Sequence, residues 1–230
     1  MIIEAVNESA CIVYFGDRID DDIAGQVKRA TEAIRRNLSD LVIDLVPSYT
    51  SVLVCYDADR TDRFGITSRI RKTLSQSEQE APDENASSTI ELPVYYGPEV
   101  GLDLDDVCDY SGLSRDEVVR IHSEQTYRVY AIGFSPGFAY LGITDQRIAL
   151  PRKATPRQKI PTGSVGIAGS QTAIYPSATP GGWQIVGRTP QKMIDWDSDS
   201  LALVAVGDKV RFRSIDRQEY LDLGGSLDEF

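Results

Sequence analysis

Residues 133–142 read GFSPGFAYLG, and they open a run that continues as PRKATPR (151–157), IPTGSVGIAGSQTAIYP (160–176) and TPGGWQIVGRTP (179–190). Short runs of β-forming residues alternate here with glycine and proline turns. No stretch as far as Arg213 carries a helical apolar stripe, so the pattern predicts an all-β barrel or sandwich. Strands are expected at Ser164–Ala168, Thr172–Tyr175, Gln184–Arg188, Leu201–Val206 and Lys209–Arg213, with Gly207-Asp208 as a hairpin turn between the last two. Upstream, Thr126–Phe134 reads as a strand. So does Thr89–Tyr96, where Pro93 points to an edge or to an irregular strand. Two short helices separate them. One starts at Asp103-Leu104-Asp105-Asp106. The other starts at the capping box Ser114–Glu117, buries Val118 and Ile121, and ends at His122.

The N-terminal part has a different rhythm. Ser9–Gly16 is a strand. Asp20–Asn37 is a helix, with three aspartates at its positive end, Arg35 and Arg36 at its negative end, and Ile23, Val27, Ala30, Ile34 and Leu38 on one face. Strands at Leu41–Val46 and Ser51–Tyr56 and a helix at Thr61–Gln76 complete a β-α-β-β-α order, the split pattern of ferredoxin-like folds. Ser77–Ser88 is polar, holds four acids and has no apolar period, so a linker is expected there. The chain is therefore expected to be α+β, with domains at 1–82 and 83–230.

At 230 residues, with 41% hydrophobic and 26% charged side chains, the composition is that of a soluble globular protein. A net charge of −11 argues against nucleic acid or an anionic membrane as partner. No apolar run approaches the roughly 18 residues of a membrane span. The first residues lack the basic segment of a signal peptide. Cys11, Cys55 and Cys108 form no CxxC and read as free thiols of a reducing cytoplasm. Against this acidic background, seven cations and no acid lie between Gln146 and Ile194: Arg147, Arg152, Lys153, Arg157, Lys159, Arg188 and Lys192. Such an island either meets an anion or pairs with acids brought by the fold.

Several constellations bear on chemistry. Gly182–Thr189 differs by one residue from the phosphate-loop pattern, but bulky strand formers stand where bare amides are needed. Ser135 is followed by Pro136, which removes the amide a nucleophile elbow requires. His122 is the only histidine, so a multi-histidine metal site is excluded within one chain and no metal ligands are assigned. Pro151-Arg152 and Pro156-Arg157 present guanidinium groups on stiff backbone, suited to a carboxylate or phosphate. Gln171, Thr172, Tyr175 and Trp183 add neutral donors and rings nearby in sequence.

The run IHSEQTYRVYAIGFSPGFAYLG (121–142), followed by LPRKATPRQKIPTGSVGIAGSQTAIYPSATPGGWQIVGRTP (150–190), closely resembles the KipI / allophanate hydrolase subunit 1 family. Members are mostly assigned as the B subunit of bacterial ATP-dependent 5-oxoprolinase. Departures are small: Ala139 stands where proline is common, and Thr162 where alanine is common. The resemblance implies a ferredoxin-like N-terminal domain and a cyclophilin-like C-terminal β-barrel. It implies two partner subunits, one KipA-like and one of LamB/YcsF type, with 5-oxoproline as substrate, and ATP with Mg²⁺. On this reading the chain is a cytoplasmic hydrolase subunit, inactive alone. His122 is the candidate acid/base or polariser. Arg152, Arg157 and Arg188 would hold anions, Gln171, Thr172, Tyr175 and Trp183 the lactam, and Gly133, Gly137, Gly181 and Gly182 would shape loops. Two alternatives follow from the same family: an inhibitor of a sporulation histidine kinase, and a carboxyltransferase-like piece of urea degradation.

Overall fold

The computed structural model describes residues 1–77, 89–198 and 200–227. The chain divides into two compact units, Met1–Ala86 and Ser87–Phe230. The expected boundary after residue 82, and the expected linker beyond Ser77, lie outside the described residues.

The first unit runs β1 (Ile2–Asn7), β2 (Ala10–Tyr14), α1 (Asp21–Asn37), β3 (Val42–Pro47), β4 (Ser51–Tyr56) and α2 (Arg63–Ser77). Its antiparallel sheet has the order β1-β2-β4-β3. β4 thus lies between β2 and β3, as the split pattern requires. The strand absent from the sequence reading is β1. IIEAVN has no clean alternation, yet it pairs with β2 from Ile2↔Tyr14 onward and fills the edge that a strand after α2 would otherwise take. α1 begins as its aspartates dictate: the Asp20 carboxylate accepts from the Ile23 amide at 2.8 Å. Its buried face, with Val27, Ala30 and Ile34, packs on Val13, Val52 and Val54 of the sheet.

The second unit contains β5 (Thr89–Tyr95), α3 (Leu104–Ser111), α4 (Arg115–Glu124), β6 (Thr126–Ile132), β7 (Ala139–Gly142), β8 (Arg157–Ile160), β9 (Ser164–Ala168), β10 (Gln171–Ile174), β11 (Thr179–Gly181), β12 (Gln184–Arg188), β13 (Lys209–Ile215) and α5 (Arg217–Asp222). Seven of these strands close a barrel in the order β10-β7-β6-β13-β5-β12-β9, and β8 and β11 form a separate ribbon. The anticipated barrel is present, and α4 starts with the full Ser114–Glu117 capping box.

Two expectations change. Leu201–Val206 is not a strand: it makes one isolated bridge, Ala202 to Ile194. Gly207-Asp208 is therefore not a hairpin turn. The Gly207 amide donates to Val129 O at 2.8 Å, and the Val129 amide to Asp208 O at 2.9 Å, which ties the segment to β6 and leads β13 alongside it. Pro93 sits inside a closed barrel, but β5 meets β12 only at Tyr95, so the missing N–H leaves no ladder bond to β12 unmade.

Candidate functional site

Four barrel strands, β7, β9, β10 and β12, are largely buried on both faces. Side chains alternate along a strand. Leu141, Val165, Ile167, Ile174 and Val186 therefore enter the barrel core. Phe138, Ala168, Ala173, Tyr175, Trp183 and Ile185 form a second cluster on the other face, with Ile160 of the β8–β11 ribbon. Small residues seat the rings. A Cβ on Gly181 would stand 2.4 Å from Tyr175 Oη, and one on Gly166 would stand 3.1 Å from Trp183 Cβ. The rings meet edge to face: Phe138 lies 4.8 Å from Tyr140, 5.2 Å from Tyr175 and 5.7 Å from Trp183.

One cation crowns this shelf. The exposed Arg152 guanidinium stands 5.7 Å from the Trp183 ring centroid. It also acts on the Tyr175 phenol. Burial pushes that phenol up to about 12, while the Trp183 amide and Arg152 pull the other way. Arg152 makes no ion pair among the described residues. The other expected cations are engaged. Both outer nitrogens of Arg157 donate to Asp103 at 2.7 Å, and Lys153 Nζ reaches Asp103 at 2.6 Å and Asp106 at 3.0 Å. Asp103 is 1% exposed and also accepts from the Ile185 amide at 2.7 Å. Burial alone would raise its pKa, but the hydrogen bonds from Arg157, Lys153 and Ile185 hold it below the ordinary value. Arg188 is 2% exposed and donates from Nη1 to Ser226 O at 3.0 Å. Arg157 is thus held by Asp103, and Arg188 lies buried with Nη1 on Ser226 O.

His122 is on the inner side. It is fully buried, stacked on Phe212 at 4.7 Å with an interplanar angle of 9°. Its Nδ1 lies 2.8 Å from Tyr96 Oη and its Nε2 lies 2.9 Å from Thr172 Oγ1. Thr172 Oγ1 donates to Gly166 O at 3.0 Å, so it accepts from Nε2–H, and Nδ1 in turn accepts from Tyr96. Burial pulls the imidazole pKa down to about 3. A neutral ring with both nitrogens satisfied has no atom left for a substrate. His122 and Thr172 form a buried hydrogen-bond relay that runs from Tyr96 to Gly166 O.

Residues 1–204 match the family described as carboxyltransferase domain, subdomain C and D. The chain belongs to that family. A curated relative from Bacillus subtilis, the B subunit of 5-oxoprolinase, is 38% identical over 226 residues, covering 95% of this chain and 94% of its own. A protein of the same name from Haemophilus influenzae is 47% identical over 123 residues, covering 54% of this chain and 58% of its own. Among solved structures, TTHA0988 superposes with a TM-score of 0.79 at 32% identity. That match covers 90% of this chain but only 40% of TTHA0988, so there the same unit is joined to further sequence.

In this member of the carboxyltransferase C and D family, the expected site residues fall on two faces. Arg152, Tyr175 and Trp183 come together on the outer shelf. Gln171 shares the face of β10 that Tyr175 continues just beyond the strand, residues two and four apart being in phase. Gly181 shapes the shelf through its approach to Tyr175, and Gly137 does so for the 133–138 loop, with φ of 73° and a would-be Cβ 2.5 Å from Ile194. Gly133 and Gly182 lack such an approach. Sequence reading missed Asp103, whose carboxylate turns from the helix end it precedes to hold two cations. It also missed Phe134, held at φ 70° and 66% exposed, with its ring 5.3 Å from Phe138. Among the described residues no group of three or more His, Cys, Asp or Glu side chains is placed to hold a metal ion, so no Mg²⁺ ligands are assigned within this chain.

Proposed function

We propose that this chain is the B subunit of an ATP-dependent 5-oxoprolinase, working in the cytoplasm with two partner subunits, one KipA-like and one of LamB/YcsF type. The observation that carries the reading is the nearly end-to-end match to a 5-oxoprolinase B subunit. The three cysteines are free, as a reducing compartment would leave them. No helix among the described residues is long and apolar enough to cross a membrane. The reaction converts 5-oxo-L-proline, ATP and water into L-glutamate, ADP and phosphate. A lactam carbonyl resists water. Phosphorylating its oxygen makes a leaving group, so the complex must hold a carboxylate and a triphosphate side by side. On this reading Arg152, on its aromatic shelf, meets a substrate anion, with Tyr175, Trp183 and Gln171 beside it. ATP and Mg²⁺ enter the complex as co-substrate, and no step is assigned to the metal here.

The test is reconstitution. Co-expressed with both partner proteins, the chain should release ADP only when 5-oxoproline is present, and the purified single chain should not. Arg152→Ala should lower kcat/KM of the complex about 10- to 150-fold, the equivalent of about 1.5–3 kcal/mol for one charge-assisted hydrogen bond. Arg152→Lys should restore little, because an ammonium lacks the planar fork. A complex that is inert towards 5-oxoproline would remove the reading. An active complex indifferent to Arg152→Ala would keep the reading and discard the shelf.

A further inference from the structure

A second surface lies in the N-terminal unit. β1 is a sheet edge, bonded to β2 on one side only, and five of its six residues are exposed. Ile2 is 60% and Val6 53% exposed. Protein edges are usually blunted by lysine, proline or a bulge, because their free N–H and C=O groups template another strand. Ile2–Asn7 has neither lysine nor proline, and its bulge comes only at the end, between Ala5 and Asn7. Beside this edge runs a groove of about 480 Å³, bounded by Ile3 and Ala5 of β1 and by Arg63, Phe64, Ser68 and Arg71 of α2. Phe64 is 68% exposed, and the Arg63 guanidinium covers its ring at 4.6 Å. Neither Arg63 nor Arg71 has an ion-pair partner among the described residues. The groove therefore has an apolar middle, unpaired cations and a ready backbone ladder. The nearby acids, Glu8 and Asp62, line an adjoining hollow that Arg63 also borders, and there Asp62 already accepts from the Gly65 amide at 2.7 Å.

We propose that this groove docks an extended acidic segment of a partner chain, which adds to β1 as a fifth strand. Strand addition draws affinity from main-chain bonds and specificity from alternate side chains. The spacing defines the motif. Arg63 and Arg71 are eight residues apart on a helix, or about 12 Å. Four residues of strand span about 13 Å. The segment that fits is acid-x-apolar-x-acid, its carboxylates on the two arginines and its apolar residue over Phe64 and Ile3. A second copy of this chain is disfavoured at the same edge, since antiparallel pairing of two β1 strands centred on residue 4 would set the two Glu4 side chains opposite each other.

The probe is a blocked, fluorescein-labelled threonine-rich peptide with two glutamates four residues apart around a central valine, titrated into the full chain. Saturable binding is expected, weakened about tenfold or more when both glutamates become glutamine, and likewise by Arg71→Glu or Arg63→Glu. The peptide should also slow amide exchange across Ile2–Asn7, which a purely electrostatic contact would not do. Melting curves of the variants check that they are folded. Three results would overturn the proposal: no binding at about millimolar peptide, binding unchanged by glutamine or by both arginine variants, or concentration-dependent self-association that protects β1 without peptide.

Discussion

At the scale of residues, polar side chains were legible by type but not by role. His122 is the clearest case. Its pKa is drawn from an unfolded value of about 6.5 to about 3 by burial. Above pH ~6.5 it is neutral in both states and pH costs nothing. Between there and about 3 the unfolded chain takes up a proton that the folded chain refuses, so stability falls with pH by up to ~1.4 kcal/mol per unit. Urea denaturation from pH 7 to 4 should show a steeper loss for the wild type than for His122→Gln. Parallel curves would mean that the imidazole is accessible. Asp103 gives the converse case. Asp103→Asn leaves Arg157 without its charge partner and Lys153 with Asp106 alone, and should cost about 3 kcal/mol. Arg152→Ala should leave the denaturation midpoint within the error of measurement. If the two variants unfold alike, the division between paired and ligand-facing cations is wrong.

At the scale of elements, alternation decides which candidates cooperate. Gln171 and Tyr175 are in phase along β10 and the residue after it, and Thr172 is out of phase, so no ligand on one face reaches all three. Proximity in sequence had grouped them. The same alternation makes the outer cluster depend on absent side chains. Gly181→Ala would place a methyl 2.4 Å from Tyr175 Oη and 2.7 Å from Ile160 Cδ1. Overpacking of this kind costs about 1–3 kcal/mol. The near-UV circular dichroism of the aromatic cluster should change together with the melting temperature. An unchanged spectrum would show that Tyr175 is not held where the glycine permits. Gly133→Ala meets no neighbour within 4 Å and is the control.

At the scale of the whole molecule, each unit has its own core. One is built on Val13, Val27, Ile34 and Val54, the other on Val94, Val129, Ile167 and Phe212. Separate folding is therefore expected. Fragments 1–77 and 89–227, expressed apart, should each melt cooperatively, and limited proteolysis of the intact chain should cut first within 78–88. A fragment without a cooperative transition, or first cleavage inside 133–190, would make the two units one folding domain.

Local structure and the class of fold are written in the chain itself. The Asp20 cap, the Ser114–Glu117 box, the stripe of α1 and the Gly/Pro-punctuated runs of the barrel are encoded within a few residues of where they act, so reading the chain locally finds them. Three features were settled in three dimensions, because each depends on a partner far along the chain. β1 is a strand only because β2 offers an edge, which its own weak alternation does not announce. Leu201–Val206 is apolar enough for a strand but pairs only through one bridge to Ile194, while β6 takes the following segment. The basic island looked uniform in one dimension. Asp103, some 50 residues before Lys153 and Arg157, neutralises part of it in three, and Arg152 is left on the aromatic shelf because no acid among the described residues pairs with it.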